Sequence, residues 1–173
     1  MGLTIVVVGA TGRQGGGVVK ALLDSPLQWT VRALTRDPDS DTAKKFLSHN
    51  QTADIRLSLV QGHVYDKASL IVAYAGAHGV FGLTSEGYPG RTLTTEEELL
   101  HEIEGGRNQV EASKECGVKH FVFSSLPDMR RVTNGKYTGI HHMNNKHDVE
   151  TIARAELDAP TFLVPGVSLI QLG

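Results

Sequence analysis

Apolar residues fall along the chain in short unbroken runs that alternate with longer stretches spaced by three and four. Leu3 to Val8 is one such run, and Val18, Val19, Ala21, Leu22 and Leu23 follow it at helical spacing. An unbroken run bounded by turn residues fits a strand buried on both faces, and three-four recurrence fits one face of a helix. The pair repeats. Leu27 to Thr35 predicts a second strand, closed by the turn signal Arg36-Asp37-Pro38. Ser40 to Leu47 predicts a short helix capped by Ser40 or Asp41, and Ile55 to Val60 a third strand. Asp66 can cap a helix through Leu70, Ile71 and Tyr74. His78 to Leu83 predicts a fourth strand. Thr95 opens one long helix to Cys116, with Glu98 completing a capping box and Gly117 as the stop. Gly105-Gly106 inside that helix is costly unless something packs closely against it. Lys119 to Ser124 is the fifth strand candidate. Leu126 to Asn145 reads as a long irregular segment, with a helix from about Asn144 to Ala155 after it. Thr161 to Val164 is the sixth strand, ended by Pro165-Gly166.

Strands that alternate with helices predict an α/β fold: a doubly wound parallel sheet with helices on both faces. Six strands in the order 3-2-1-4-5-6 are the expected arrangement, and a ligand lies across the carboxyl ends of strands 1 and 4, where the order reverses. The turn after the first strand, Gly9-Ala10-Thr11-Gly12-Arg13-Gln14-Gly15, is built for that place. Gly9 turns the chain sharply, Gly12 removes a side chain where a pyrophosphate touches backbone, and Gly15 lets the helix pack close to the sheet. The helix N-terminus offers free N–H groups to phosphate. The spacing is GxxGxxG rather than GxGxxG, and its weight comes from following a strand and opening a helix.

Other candidates converge on the same edge. Arg36 ends the second strand, and with Arg13 it suits the 2′-phosphate of NADP(H) better than the 2′-hydroxyl of NAD(H), although Asp37 is adjacent. His63 lies where an adenine ring could rest beside the third strand, or is an exposed loop histidine. Gly82, Leu83 and Thr84 end the fourth strand, where Gly82 allows close approach of a ligand or marks a bulge. Ser124 or Ser125 ends the fifth strand and Pro165 the sixth.

Formal net charge is -2 with no basic block, so no footprint for direct nucleic-acid binding is visible. Cys116 is the single cysteine, which excludes an intramolecular disulfide and favours a reducing compartment. The first apolar run is too short for a signal or membrane segment, so the expectation is cytoplasmic, with the nucleus open to a regulator. Of eight histidines, His141, His142 and His147 cluster, but no i, i+4 pair or acidic set completes a ligand shell, so no metal site is expected.

Five segments resemble the NmrA-like family of atypical short-chain dehydrogenases: Gly9 to Gly16, Val31 to Pro38, Gly79 to Thr84, Gly117 to Leu126 and Thr161 to Gly166. The resemblance implies a Rossmann domain over residues 1–166 and NAD(P) binding, usually with NADP preferred. It also implies that the elements of a C-terminal substrate part are largely missing, with 167–173 a stub. Relatives include reductases and regulators that bind the cofactor without turning it over. The expected function is hydride transfer between NADP(H) and a small carbonyl, enone or quinone. The alternative is an inactive NADP(H) sensor acting through a protein partner, and either could be a monomer or homodimer. The Tyr-x-x-x-Lys pair of short-chain dehydrogenases matches here only at Lys146. His142 stands at the tyrosine position, and Tyr137 lies too far back to replace it. Lys146 is therefore the candidate to hold the nicotinamide ribose, His142 to supply a proton, and Ser124 to hydrogen-bond substrate or nicotinamide.

Overall fold

Short runs rich in β-branched and aromatic residues form the strands, and the segments with a one-sided apolar stripe form the helices that cover them. A computed structural model describes residues 2–166. The strands are β1 (Thr4–Val7), β2 (Thr30–Thr35), β3 (Leu57–Gln61), β4 (Gly79–Gly82), β5 (His120–Ser124) and β6 (Pro160–Leu163). They make one sheet in the order β3-β2-β1-β4-β5-β6, with every pairing parallel. The sheet is therefore doubly wound, as the alternation of patterns predicts.

The helices are α1 (Arg13–Asp24), α2 (Asp41–Asn50), α3 (Lys67–Tyr74), α4 (Glu96–Leu99), α5 (His101–Glu115), α6 (Met129–Val132) and α7 (His141–Glu156). Each sheet face has its own core. On one face Val7, Val31, Ala33, Leu57 and Phe81 pack with Val19 and Leu23 of α1. On the other, Val6, Val80, Phe121 and Phe123 pack with Leu70 and Tyr74 of α3, Val110 of α5 and Val149 of α7. Burying strands on both faces requires unbroken apolar runs, which is why the central strands do not alternate.

The third strand begins at Leu57 rather than Ile55, which has φ +54°, the sixth runs Pro160–Leu163, and three larger differences from the pattern-based reading stand out. The second strand starts at Thr30 rather than Leu27, because Gln28 has φ +55°, a left-handed turn that no strand contains. The helix from Thr95 is divided at Leu100 into α4 and α5, although the Thr95–Glu98 capping box forms as expected. The segment 126–145 is not irregular throughout. It holds α6, and α7 begins at His141, because its buried face carries Asn144, Asn145, Lys146 and Glu150 rather than hydrocarbon. The Gly105-Gly106 pair is explained by packing. A Cβ on Gly105 would stand 3.0 Å from the Tyr65 ring, and one on Gly106 only 2.2 Å from Val149 Cγ2. Among the described residues no helix is long and apolar enough to cross a membrane.

Candidate functional site

The carboxyl ends of β1, β2, β3 and β4 open onto a cleft of about 830 Å³. The turn between β1 and α1 forms its floor. Gly9 takes φ +64°, a left-handed conformation that costs a glycine nothing, and its carbonyl accepts from Gly12 N at 2.9 Å. That bends the chain so tightly that a Cβ on Gly15 would lie 2.3 Å from the Gly9 carbonyl oxygen. Gly12 caps α1 without any side-chain hydrogen bond, so the first-turn N–H groups are left for a ligand.

The cleft is lined by Gly9, Thr11, Gly12, Arg13, Gln14, Gly15, Arg36, His63, Leu83 and Thr84. These ten candidates, scattered over 76 positions of the sequence from Gly9 to Thr84, are brought together. Asp37, also at the rim, is engaged in its own turn, where one carboxylate oxygen accepts from Asp39 N at 2.9 Å. His63 Nδ1 accepts from Tyr65 N, and its own N–H donates to Ser69 Oγ, so the loop after β3 is fixed by internal bonds. Tyr65 lines the cleft too, stacked on Tyr88 with ring centroids 4.8 Å apart and hydrogen-bonded to His101. Burial first, and then the nearby Tyr88 and acidic groups, push its phenol up to about 12.

Two candidates lie apart. Gly82 is buried away from the opening, and the room its missing side chain leaves is taken by Gln109 and Phe121, each 2.9 Å from where a Cβ would be. Gln109 Nε2 donates to Leu83 O at 3.1 Å, so Gly82 serves the wall of the cleft and not its surface. Pro165 follows β6, is exposed, and is not part of the lining.

The remaining three candidates do not line the cleft but lie behind its wall. Ser124 is buried at the end of β5, where its Oγ accepts from Gln14 Nε2 at 2.7 Å, tying β5 to the glycine turn. Ser125, the alternative, turns away and donates to Glu150 at 2.6 Å. Lys146 of α7 is only 6 % exposed. Its Nζ donates to Thr84 O at 2.8 Å and to Thr84 Oγ1 at 3.0 Å, and stands 3.4 Å from Glu102 Oε1. His142, one helical turn earlier on the same face, places Nδ1 3.0 Å from Glu102 Oε2. Tyr137, by contrast, is half exposed and precedes α7.

Glu102 joins these groups and escaped the sequence reading. It is 1 % exposed on α5, and its carboxylate also accepts from Thr84 Oγ1 at 2.6 Å. Burial pushes its carboxyl up, but the His142 hydrogen bond, the Lys146 charge and the Thr84 hydroxyl outweigh that and hold it below the ordinary glutamate range. Burial likewise lowers Lys146, with Glu102 opposing. The available signal was positional. Residues 102, 105, 106, 109 and 113 follow three-four spacing on α5, so an acid stands on the buried stripe.

The NmrA-like family model matches residues 1–172. The chain is 36% identical over 151 residues to the NmrA-like family domain-containing oxidoreductase hkm9 of Aspergillus hancockii, covering 87% of this chain and 41% of the relative. With the corresponding oxidoreductase FrzB of a Cladobotryum species it shares 35% over 159 residues, 89% of this chain and 43% of the relative. The chain thus spans about two fifths of the length of these curated relatives. Among solved structures it resembles the Citrobacter triphenylmethane reductase complexed with NADP(H), with a TM-score of 0.73 at 23% identity over 97% of this chain and 51% of that one. An Escherichia coli NADPH-dependent quinone oxidoreductase complexed with NADPH gives a TM-score of 0.68 at 21% identity, covering 94% and 48%. At those identities the two structures speak for the fold, and sequence carries the membership: the chain belongs to the NmrA-like family.

Proposed function

We propose that the cleft binds NADP(H) and that the chain is the cofactor-binding part of an oxidoreductase acting on a small carbonyl, enone or quinone. The observation that carries this is the glycine turn. It presents uncapped N–H groups of α1 to a cleft whose rim bears Arg13 and Arg36. The residues fit the group. A Cβ at Gly15 would collide with the turn, and one at Gly12 would come within 3.2 Å of Gly9 O, so glycines permit the tight turn that brings the first N–H groups of α1 to the cleft. In this reading the turn N–H groups hold the pyrophosphate, Arg13 and Arg36 the 2′-phosphate, and the loop after β3 the adenine side. When bound, the dinucleotide supplies hydride at its nicotinamide ring. Lys146 braces Thr84, and with it the wall on the ribose side. His142 is the group that moves a proton, and Ser124 steadies Gln14 in the glycine turn.

The names of the two reported relatives, both oxidoreductases, and the ligands named for the two similar structures support this reading. A second reading, an NADP(H) sensor that signals to a protein partner, draws on one observation: a histidine held by a carboxylate stands where short-chain dehydrogenases carry tyrosine. The two separate in a calorimetric titration with NADPH and NADP+. A ligand shifts a state only through differential binding. A reductase should bind both forms within about tenfold, ~1.4 kcal/mol, of each other. A larger gap selects the sensor, and no heat with either form refutes both.

A further inference from the structure

The direction of every hydrogen bond around Glu102 can be assigned. An ionised carboxylate accepts only, and an ammonium donates only. Lys146 Nζ is 3.4 Å from Oε1, so the carboxylate has its counter-charge inside the protein. Thr84 Oγ1 accepts from Lys146 Nζ at 3.0 Å, and its own hydrogen is therefore directed to Glu102 Oε1 at 2.6 Å. The other oxygen, Oε2, faces His142 Nδ1 at 3.0 Å. With nothing else on the carboxylate to donate, the hydrogen in that bond belongs to Nδ1.

We infer that Glu102 is a positioning residue that fixes neutral His142 as its Nδ1–H tautomer and leaves Nε2 as the nitrogen that exchanges protons. The inference rests on the reading of the cleft as an NADP(H) site only for its purpose, not for its chemistry. Which ring nitrogen carries the proton is set by the bond the other makes. Nε2 makes no hydrogen bond among the described residues, and the side chain is 31% exposed. As an imidazolium the ring can give its Nε2 proton to an acceptor oxygen, return to the neutral Nδ1–H form, and regain the proton from water. Thr84 cannot take that part. Its hydrogen is committed to Glu102, so it offers the cleft only a lone pair and a methyl group. Glu102 belongs to the same arrangement as a group that orients a base without itself reacting.

The test is a long-range 1H–15N correlation spectrum of the 15N-histidine-labelled chain without any dinucleotide, at a pH where the ring is neutral, with the signal assigned by its loss in His142→Gln. The expected pattern is a protonated Nδ1 and an unprotonated Nε2. An Nε2–H pattern, or an averaged mixture of the two, overturns the inference. The double variant Glu102→Met/Lys146→Met removes the acceptor together with its partner charge, an exchange that buried ion pairs commonly tolerate. In it the Nδ1–H preference should be lost. If the preference survives there, Glu102 does not set it and the inference fails. Because neither spectrum uses NADPH, failure of the inference and failure of cofactor binding remain distinct results.

Discussion

At the scale of single residues, Glu102 decides more than any other side chain outside the glycine turn. It is a buried anion that meets a buried cation, a hydroxyl and an imidazole within one site. Replacing it by glutamine keeps its shape and removes its charge, leaving Lys146 without its counter-ion. Breaking a buried pair in this way costs roughly 3 kcal/mol, so Glu102→Gln should be destabilised by about that much at neutral pH in urea denaturation. The pH dependence follows from the direction of the shift. The folded carboxyl lies below the ordinary glutamate range, so between the two values the unfolded chain binds more protons. The stabilisation is complete above the ordinary glutamate value and is lost as pH falls through the folded one. The gap between the two proteins should therefore narrow as pH falls below the ordinary glutamate range. A gap that stays constant to the acid limit of folding contradicts the ion-pair account.

The individual residues were unequally legible. Gly9, Gly12 and Gly15 announce their roles because a tight turn between strand and helix constrains the backbone, and backbone constraints show in sequence as glycine. Glu102 does not announce itself, because it stands in an acid-rich stretch with Glu96, Glu97, Glu98 and Glu104, of which Glu96, Glu97 and Glu104 are exposed. Its place on the three-four stripe of α5 marks it as buried, and only the three-dimensional approach of α7 shows what it pairs with. Gly82 looks like a site of ligand approach, yet the close neighbours are Gln109 and Phe121. A glycine marks crowding without saying what crowds it.

At the scale of elements, the strands and the first three helices follow from hydrophobic pattern and turn chemistry, and the boundaries move where the backbone itself turns, as at Gln28. The start of α7 was hidden for a different reason. Periodicity finds a helix by its apolar stripe, and the buried face of α7 is largely polar, satisfied by bonds such as Asn145 Nδ2 to Leu99 O and Asn144 Nδ2 to Thr138 O. A polar buried face is visible only once its partners are in place. The contact of α5 with α7 offers a direct test of this packing. Gly106 fits because Val149 fills the place of its side chain. Gly106→Ala overpacks the contact and should destabilise the chain by about 1–3 kcal/mol. Adding Val149→Ala should return part of that loss, so that the double variant is more stable than the two single changes predict by addition. Simple additivity in chemical denaturation contradicts the stated contact.

At the scale of the whole molecule, sheet order does the assembling. Parallel strands in the order β3-β2-β1-β4-β5-β6 put the turn after β1, the end of β2, the loop after β3 and the end of β4 on one edge. The reversal at β1 and β4 opens the cleft between them. α5 and α7, packed on one face, place Glu102 and Lys146 behind that wall against Thr84, with His142 bonded to Glu102. The edge was legible from the alternation of patterns alone. Behind it, only Lys146, His142 and Ser124 are legible, the first two through the resemblance to the Tyr-x-x-x-Lys pair of short-chain dehydrogenases.

If this edge takes NADP(H) with Arg13 and Arg36 reading the 2′-phosphate, as proposed, the 2′-phosphate must decide affinity. Calorimetric titration of the chain with NADPH and with NADH tests it most directly. NADPH should bind at least tenfold more tightly, a difference of about 1.4 kcal/mol, and Arg36→Ala should bring the two affinities together by weakening NADPH alone. Equal affinity for the two in the unaltered chain contradicts the assignment of the arginines, and absence of binding by either contradicts the reading of the cleft itself.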